Sequence, residues 1–469
     1  MKYILAFSLS FFCLQAFAQL EISGKVVDFN TFEPIESASI YIQNSTVGTV
    51  SNIDGKFLLS VPQNLKKDTL VISSIGFKSF KTPVEEFDGS MDVFLEEDIA
   101  SLDEVLIVAD PRPTTGNGIV QKAIERLPRN LPDGPYLQKG FLRHRERNKK
   151  EYKWLIESAL TLYDSSYASG SKDNLRINVD EMRKSYDLRD VDSLYAYVSY
   201  LRYNARNVNL RAKNLRRDTI KTSTLVKAIK WNDERTNGLE NLFKGRLNMV
   251  RNANMRFSLL GDDVLDKHQF TLDTILVDDG RKIYKIKINK GSEYVGLGTK
   301  NIFNEGFEAN GWIYIYYDNY AIKRIEYELV AASDAQKRRS KSLFDTLVNH
   351  KLVMTYKDIN DKMYPNYIYY ESPKLINVGD RSSDQNLDGA KPKDKDKLFY
   401  YTIQEMLFTE VIQDSARVED ALSREWSSDI FKSRPYNKEF WKNYNVLLES
   451  EEEEKLIQDL SKRASLFEQ

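Results

Sequence analysis

Short runs of alternating apolar and polar residues dominate the chain between residues 20 and 97. They have the length of β-strands and lie about 10 to 15 residues apart, which is typical of a small β-sandwich. Residues 52–55 (Asn-Ile-Asp-Gly) provide a turn, with Gly55 at the position that needs a positive φ. The runs are residues 21–28, 38–42, 56–61, 69–73 and 91–95.

A helical pattern follows at residues 117–127, where apolar residues recur at the spacing of one helix face. Pro128 is expected to end this helix, because proline cannot donate the backbone hydrogen bond that the next turn needs. The apolar face consists of Ile119, Val120, Ala123, Ile124 and Leu127.

From His268 onward the pattern predicts an antiparallel β-sheet. Turn residues separate the apolar runs at 278–280, 318–319 and 360–361. The predicted strands are residues 270–277, 282–289, 306–317, 321–329, 350–357, 364–371 and 397–403.

The first 18 residues predict a cleaved signal peptide. Lys2 precedes an apolar run that is too short to span a bilayer, and residues 16–18 (Ala-Phe-Ala) give the small-x-small cleavage pattern. The single cysteine, Cys13, lies inside the removed segment, so the mature chain is expected to have no thiol, disulfide or cysteine-ligated metal. No second apolar stretch approaches the length of a transmembrane helix, and we expect no transmembrane span in the mature chain.

Several motifs of the first domain resemble the carboxypeptidase-like regulatory domain found in envelope proteins of Bacteroidetes-type bacteria. They are residues 24–28 (GKVVD), 34–35 (PI), 38–40 (ASI), 49–57 (TVSNIDGKF) and 74–77 (SIGF). The resemblance implies a transthyretin-like sandwich of the seven-strand type, without an active site of its own.

This family often precedes TonB-dependent transporters, and residues 102–108 resemble the segment ahead of their plug. A transporter needs a plug and a barrel of about 22 strands, however, and only about 360 residues remain. We therefore predict that the chain is not a transporter. The run of residues 130–164, together with residues 440–444 (FWKNY), is similar to uncharacterised Bacteroidetes proteins that share the N-terminal domain.

The tyrosine-rich hairpin at residues 312–327 resembles the half-barrels of lipoprotein carriers in the envelope. The alternative is that its aromatic residues only cover a long curved sheet, because aromatic residues favour strands in any case.

No catalytic motif is present. A zinc carboxypeptidase needs His-x-x-Glu and a distant third histidine, whereas the three histidines here, His144, His268 and His350, lack that spacing. We expect each to be a solvated or strand-surface residue. The sequence also lacks a nucleophile elbow, a P-loop and a dinucleotide fingerprint.

The formal net charge of −1 gives no case for nucleic acid binding, but residues 201–256 hold 14 Lys or Arg against 4 Asp or Glu. One interpretation is a solvated helical insertion whose charges pair within the protein. The other is a positive face for lipopolysaccharide phosphates, an acidic glycan or an acidic protein. The candidate residues of this face are Arg211, Lys213, Arg216 and Arg217.

Two further short motifs are candidates for metal binding and for glycosylation. Residues 384–389 match the first half of a calcium loop, but the position of its final carboxylate is Lys395, so we predict an ordinary polar loop, no metal and no cofactor. Six Asp-Ser/Thr triplets are candidates for O-glycosylation, which occurs at such triplets in this bacterial group, or are simply strand starts. Their hydroxyl residues are Thr69, Ser193, Thr219, Thr274, Thr346 and Ser415.

The predicted fold is α+β and mainly β: a sandwich followed by a larger α+β region on a curved antiparallel sheet. We predict an exported, non-enzymatic envelope binding or scaffold protein in the periplasm or on the periplasmic face of the outer membrane. The alternatives are a periplasmic lipid or lipoprotein carrier with a half-barrel groove, and an envelope hydrolase or transferase. The predicted divisions are 1–18 (signal peptide), 19–97 (sandwich), 98–135 (linker with one helix), 136–265 (mixed, basic, helical), 266–412 (sheet, with a polar loop at 376–396) and 413–469 (acidic, helical).

Overall fold

The computed structural model describes most of the chain in two compact units. The units are Met1–Glu97 with Lys438–Ser450, and Asp98–Asn437 with Glu451–Gln469; we call them the sandwich unit and the sheet unit. The predicted signal peptide and the calcium-like loop lie outside the described residues. The described residues are 20–98, 112–147, 152–186, 193–204, 210–211, 214–255, 258–297, 305–344, 346–375, 399–432, 434–442 and 444–462.

The sandwich unit contains two small sheets built from seven strands. One sheet has the order β4-β1-β7 and the other β3-β2-β5-β6, which confirms the predicted β-sandwich. The strands are β1 (Leu20–Asp28), β2 (Ser39–Ile42), β3 (Gly48–Val50), β4 (Lys56–Val61), β5 (Thr69–Ser73), β6 (Phe80–Pro83) and β7 (Val93–Leu95).

The core of the sandwich comes from alternate residues of these strands, as the period of two predicts. Gly55 has φ +76° in the turn before β4, and a Cβ there would lie 2.4 Å from the Val26 carbonyl oxygen, so only glycine fits without strain. The buried strand residues include Ile22, Val26, Ile40, Ile42, Phe57, Leu59, Val61, Leu70 and Ile72.

Residues 438–450 join the sandwich unit from the far end of the sequence. They begin with a short helix of five residues, Lys438–Lys442. The Asn445 side chain accepts a hydrogen bond of 2.8 Å from the Ser60 amide, and the Asn52 side chain donates one of 2.9 Å to the Glu449 carbonyl. The acidic helix of the C-terminal segment follows them and begins at Glu451.

The sheet unit is built on one antiparallel sheet of ten strands, in the order β10-β9-β8-β17-β16-β15-β14-β13-β12-β11. The last strand pairs with β8, so residues from both sides of position 265 share a single sheet. The predicted division there does not separate two sheets. The strands are β8 (Tyr136–Arg147), β9 (Tyr152–Asp164), β10 (Leu175–Tyr186), β11 (His268–Asp278), β12 (Arg281–Lys290), β13 (Phe307–Tyr316), β14 (Ile322–Ala331), β15 (Asn349–Ile359), β16 (Lys362–Leu375) and β17 (Phe399–Ile412).

Ten helices accompany the strands in the described residues. The predicted helix is α1, which the Thr115 hydroxyl caps by accepting from the Gly118 amide at 3.2 Å. It continues through Pro128 to Asn130, because a proline near the end of a helix removes only one interior hydrogen bond. The helices are α1 (Gly116–Asn130), α2 (Ser171–Asn174), α3 (Ser193–Asn204), α4 (Thr222–Asn237), α5 (Leu239–Lys244), α6 (Val264–Lys267), α7 (Asp334–Phe344), α8 (Ser415–Leu422), α9 (Lys438–Lys442) and α10 (Glu451–Ser461).

Candidate functional site

A cleft of about 440 Å³ lies in the sheet unit between α4 and the segment that holds Asp429 and Phe431. Its α4 residues recur at intervals of three and four, which places them on one face of the helix. We call this site the α4 cleft. It is lined by Ser223, Val226, Lys227, Lys230, Trp231, Glu234, Asp429 and Phe431.

The opposite face of α4 is buried and fixes the helix. Leu225, Ala228 and Ile229 are buried there at helical spacing. Asp233 is also fully buried, and its Oδ2 lies 3.3 Å from Nε2 of His144 on β8. A polar pair at the base of an otherwise apolar face specifies how the helix sits on the sheet.

Phe431 forms one wall of the cleft and rests on the same buried group. Its ring packs edge-on against His144 (6.0 Å between centroids) and against Trp154 (5.9 Å). The Trp154 indole donates a hydrogen bond of 3.3 Å to His144 Nε2. The Lys184 ammonium donates one of 2.8 Å to the carbonyl of Lys432, which holds this segment against β10.

Two titratable groups at the cleft have strongly shifted pKa values. Burial, together with the charges of Asp429, Asp233 and Glu240, raises the pKa of Glu234 to about 8. Burial and the charge of Lys230 lower the pKa of Lys184 to about 8, against the opposing effect of Asp429. At pH 7 Glu234 is therefore mostly a neutral carboxylic acid, with a proton to donate to a ligand.

Aromatic side chains extend from the cleft onto α3. Trp231 contacts Tyr200 and Tyr203, with ring centroids 5.4 Å and 5.1 Å apart. Tyr203 is 71% exposed, and the Lys227 ammonium lies 6.0 Å from the centroid of the Tyr200 ring. Exposed aromatic faces beside a pocket provide flat apolar contact area for a ligand.

Beneath this region three adjacent strands carry a buried ionic network. Glu157 on β9 accepts a hydrogen bond of 2.8 Å from Arg143 on β8 and one of 2.6 Å from Arg183 on β10. Arg143 and Glu157 are nearly inaccessible to solvent. The network joins the strands and does not line the cleft.

A second cavity, of about 20 Å³, is lined by Leu131 and Pro132 after α1, by residues of the sheet and by Phe243 of α5. Arg251 enters it and binds both carboxylate oxygens of Asp164 and the carbonyls of Ser166 and Ser169. The space holds about one water molecule, so it is not a ligand site.

The structure places the predicted anionic-partner face outside the cleft. Arg211, Arg216 and Arg217 are exposed on the segment that precedes α4, and Lys213 lies outside the described residues. Arg216 pairs with Asp218 at 2.6 Å. The anionic-partner face stays a prediction. The cleft lysines Lys227 and Lys230 belong to the same basic stretch, but the sequence analysis did not identify them as candidate site residues.

The six candidate glycosylation residues differ in exposure. Thr219, Thr346 and Ser415 are exposed, whereas Thr69 and Thr274 are half-buried. Ser193 is 4% exposed, and a folded chain offers no access to a glycosyl group there. Modification at the other positions stays a prediction.

Two of the three histidines are buried, which corrects the expectation that they are solvated or on a strand surface, whereas His350 on β15 is half-buried. His144 and His268 are buried, and His268 Nε2 lies 2.7 Å from the Tyr327 hydroxyl. Burial lowers the pKa values of His268 and His350 to about 4, so both rings are neutral at physiological pH. Within the described residues, no group of three His, Cys, Asp or Glu side chains is placed to hold a metal ion.

None of the described helices has both the length and the apolar character needed to cross a bilayer.

The described fold thus joins a β-sandwich domain to a single ten-stranded sheet with a charged cleft. Residues 22–107 match the family model of the CarboxypepD_reg-like domain, so the N-terminal part of this chain is a member of that family, as its motifs indicate. Over 99 residues the chain is 36% identical to the TonB-dependent receptor SusC of Bacteroides thetaiotaomicron. That match covers 21% of this chain and 9% of the receptor.

Solved structures give only distant matches. A LolA superfamily protein from Nitrosomonas europaea is 9% identical and covers 68% of this chain and 99% of its own, with a TM-score of 0.21. A putative outer membrane lipoprotein-sorting protein domain from Vibrio parahaemolyticus is 10% identical (65% and 98% covered, TM-score 0.22). A putative membrane-associated protein of unknown function from Bacteroides fragilis is 9% identical (84% and 96% covered, TM-score 0.13). TM-scores this low carry no weight for the fold or function of this chain.

Proposed function

We propose that this chain is an exported, non-enzymatic binding protein of the cell envelope that holds a small ligand in the α4 cleft. The observation that carries the proposal is the cleft itself, with its volume of about 440 Å³ and its converging charged and aromatic side chains. Pockets for small molecules have volumes of about 300 to 1,000 Å³ and combine apolar walls with a few placed polar groups.

The envelope location is supported by the N-terminal region. Its first 18 residues have the pattern of a signal peptide, and the sandwich that follows belongs to a family also present in a TonB-dependent receptor. The non-enzymatic character is supported by the absence of a catalytic motif from the sequence and by the packing of His268 as a neutral core residue.

The alternative of a lipid or lipoprotein carrier requires an apolar groove for acyl chains. Four of the eight residues that line the α4 cleft are Lys, Glu or Asp, and burying such groups against acyl chains costs free energy. The cleft therefore favours a polar ligand.

The test is to isolate the tagged protein from the envelope of its native host and to weigh it intact by native mass spectrometry. Wild type should carry a small added mass that the Val226→Trp variant, whose new indole fills the cleft, lacks. Ala416→Trp, on the exposed side of α8, is the matched control and should keep the mass. No added mass on wild type, or an equal mass on Val226→Trp, would contradict the proposal, and an acyl-chain mass would favour the carrier.

A further inference from the structure

The charges of the α4 cleft are unequal in sign. Lys227 and Lys230 lie one turn apart on the cleft face of α4, and Lys184 stands behind the Phe431 wall. The lining itself has two ammonium groups, Lys227 and Lys230, and two carboxyl groups, Glu234 and Asp429. Because Glu234 is mostly neutral at pH 7, it does not balance the charge of either lysine.

From this arrangement we propose that the cleft binds a soluble organic anion, whose phosphate or carboxylate group lies between Lys227 and Lys230 and whose flat apolar body contacts Trp231 and Phe431. This names the ligand class of the proposed binding site and rests on that proposed function. Ammonium groups form charge-assisted hydrogen bonds with such anions, and the aromatic walls provide dispersion contacts to the body.

Glu234 gives the site a further donor. Its Oε2 is buried and has no hydrogen-bond partner among the described residues, although the carboxyl group lines the cleft. A buried polar atom without a partner costs free energy, which a ligand recovers by bonding to it. The neutral acid can donate its proton to an oxygen of the bound anion.

The same group makes binding depend on pH. The charged groups around Glu234 are Asp429 opposite it, Asp233 and Lys230 on its own helix, and Glu240 on α5. Above pH 8 Glu234 loses its proton, which removes the donor and places a second negative charge beside the ligand. Affinity for an anion should therefore fall as the pH rises through about 8.

Isothermal titration calorimetry with three matched probes tests the ligand class. Phenyl phosphate should bind wild type at about pH 6.5, and benzyl alcohol and benzylamine should bind at least about tenfold more weakly, since a charge-assisted hydrogen bond contributes about 1.5–3 kcal/mol. The Lys227→Ala/Lys230→Ala variant should lose that preference. Lys337→Ala/Lys341→Ala, an exposed lysine pair on α7, should keep it.

A second pair of measurements tests the role of Glu234 and the source of the anion. Phenyl phosphate affinity should fall more steeply between about pH 6.5 and 9 in wild type than in Glu234→Gln, in which only the loss of charge on Lys184 remains. Phosphatidylcholine vesicles with and without phosphatidic acid should bind equally weakly, whereas a strong preference for phosphatidic acid would assign the site to a lipid headgroup and overturn the soluble ligand.

Equal binding of the three probes, or unchanged affinity in the double lysine variant, would overturn the proposed ligand class. If native mass spectrometry still shows a ligand that Val226→Trp lacks, the binding function stands and only its ligand class is wrong. If no such ligand is found, the proposed function itself fails.

Discussion

Asp233 on α4 and His144 on β8 are both fully buried, with 3.3 Å between the carboxylate Oδ2 and the imidazole Nε2. The contact lies between the helix that lines the cleft and β8, the third of the ten strands in the sheet. Lys227, Lys230 and Glu234 lie on the other face of the same helix.

Replacing His144 with alanine should lower the free energy of unfolding by about 2–4 kcal/mol, because the buried Trp154 indole loses its hydrogen-bond acceptor and a cavity forms. Urea denaturation measures this loss. In hydrogen exchange, the variant should lose more protection in α4 than in β16 relative to wild type. Lys337→Ala, on the exposed face of α7, is the control and should change stability by less than about 0.5 kcal/mol. Equal stability of His144→Ala and wild type would show that the pair does not hold the helix.

The pKa of Glu157 determines how the stability of the sheet unit is expected to change at acid pH. Burial opposes its ionisation, but Arg143 and Arg183 together outweigh this and hold its pKa below the usual 4.5. A lowered pKa in the folded state contributes stability above pH 4.5, and this contribution is lost as the pH falls through the folded value.

Glu157→Gln should therefore destabilise the protein by about 3–5 kcal/mol at pH 7, and its urea midpoint should fall less steeply than that of wild type below about pH 4.5. Glu326→Gln, which affects a half-buried carboxylate paired with Arg324 at 2.7 Å, is the matched control. Parallel pH profiles for wild type and Glu157→Gln would refute the buried network as a source of acid sensitivity.

The raised pKa of Glu234 leads us to expect the opposite trend, a stability that falls as the pH rises. Its pKa is raised from 4.5 to about 8, so the folded state binds the extra proton between these values and stability falls as the pH rises through that window. Unfolding free energies at about pH 5 and 8 should differ more in wild type than in Glu234→Gln. The contribution of Lys184 begins only above its own value of about 8 and does not affect this comparison.

The exposed arginines before α4 provide a test of the predicted anionic-partner face. Reversing Arg211, Arg216 and Arg217 to glutamate should change stability by at most about 1 kcal/mol per residue, because these side chains are exposed. If the face is real, the triple variant should associate with lipopolysaccharide more slowly at low salt, and high salt should remove the difference from wild type. Identical association rates at low salt would contradict the predicted face.

Much of the fold could be predicted because its signals are local. Strands β11 to β17 were predicted from alternation and from turns such as 279–280 and 360–361, where Asp279, Asn360 and Asp361 adopt the positive φ that tight hairpins need. The hairpin around residues 318–319 joins β13 to β14 as expected.

Strands β8 to β10 were missed because the alternation is hidden. β8 is buried along almost its whole length, and charged residues such as Arg143 and Glu157 are paired only across strands. Sequence composition alone does not distinguish charged residues on an exposed surface from charged residues that pair in a buried network. The α4 cleft could not be predicted for a related reason, since Asp429 and Phe431 join α4 from a distant part of the sequence.

The most direct measurement of the central claim is the indole N–H resonance of Trp231, assigned with Trp231→Phe, during titration with phenyl phosphate. The chain has five tryptophans, and only Trp231 lines the α4 cleft. Our account predicts a saturable shift of the Trp231 signal that is absent in Lys227→Ala/Lys230→Ala, with the other indole signals nearly unchanged. A Trp231 signal that does not move, or one that moves equally in the lysine variant, would contradict it.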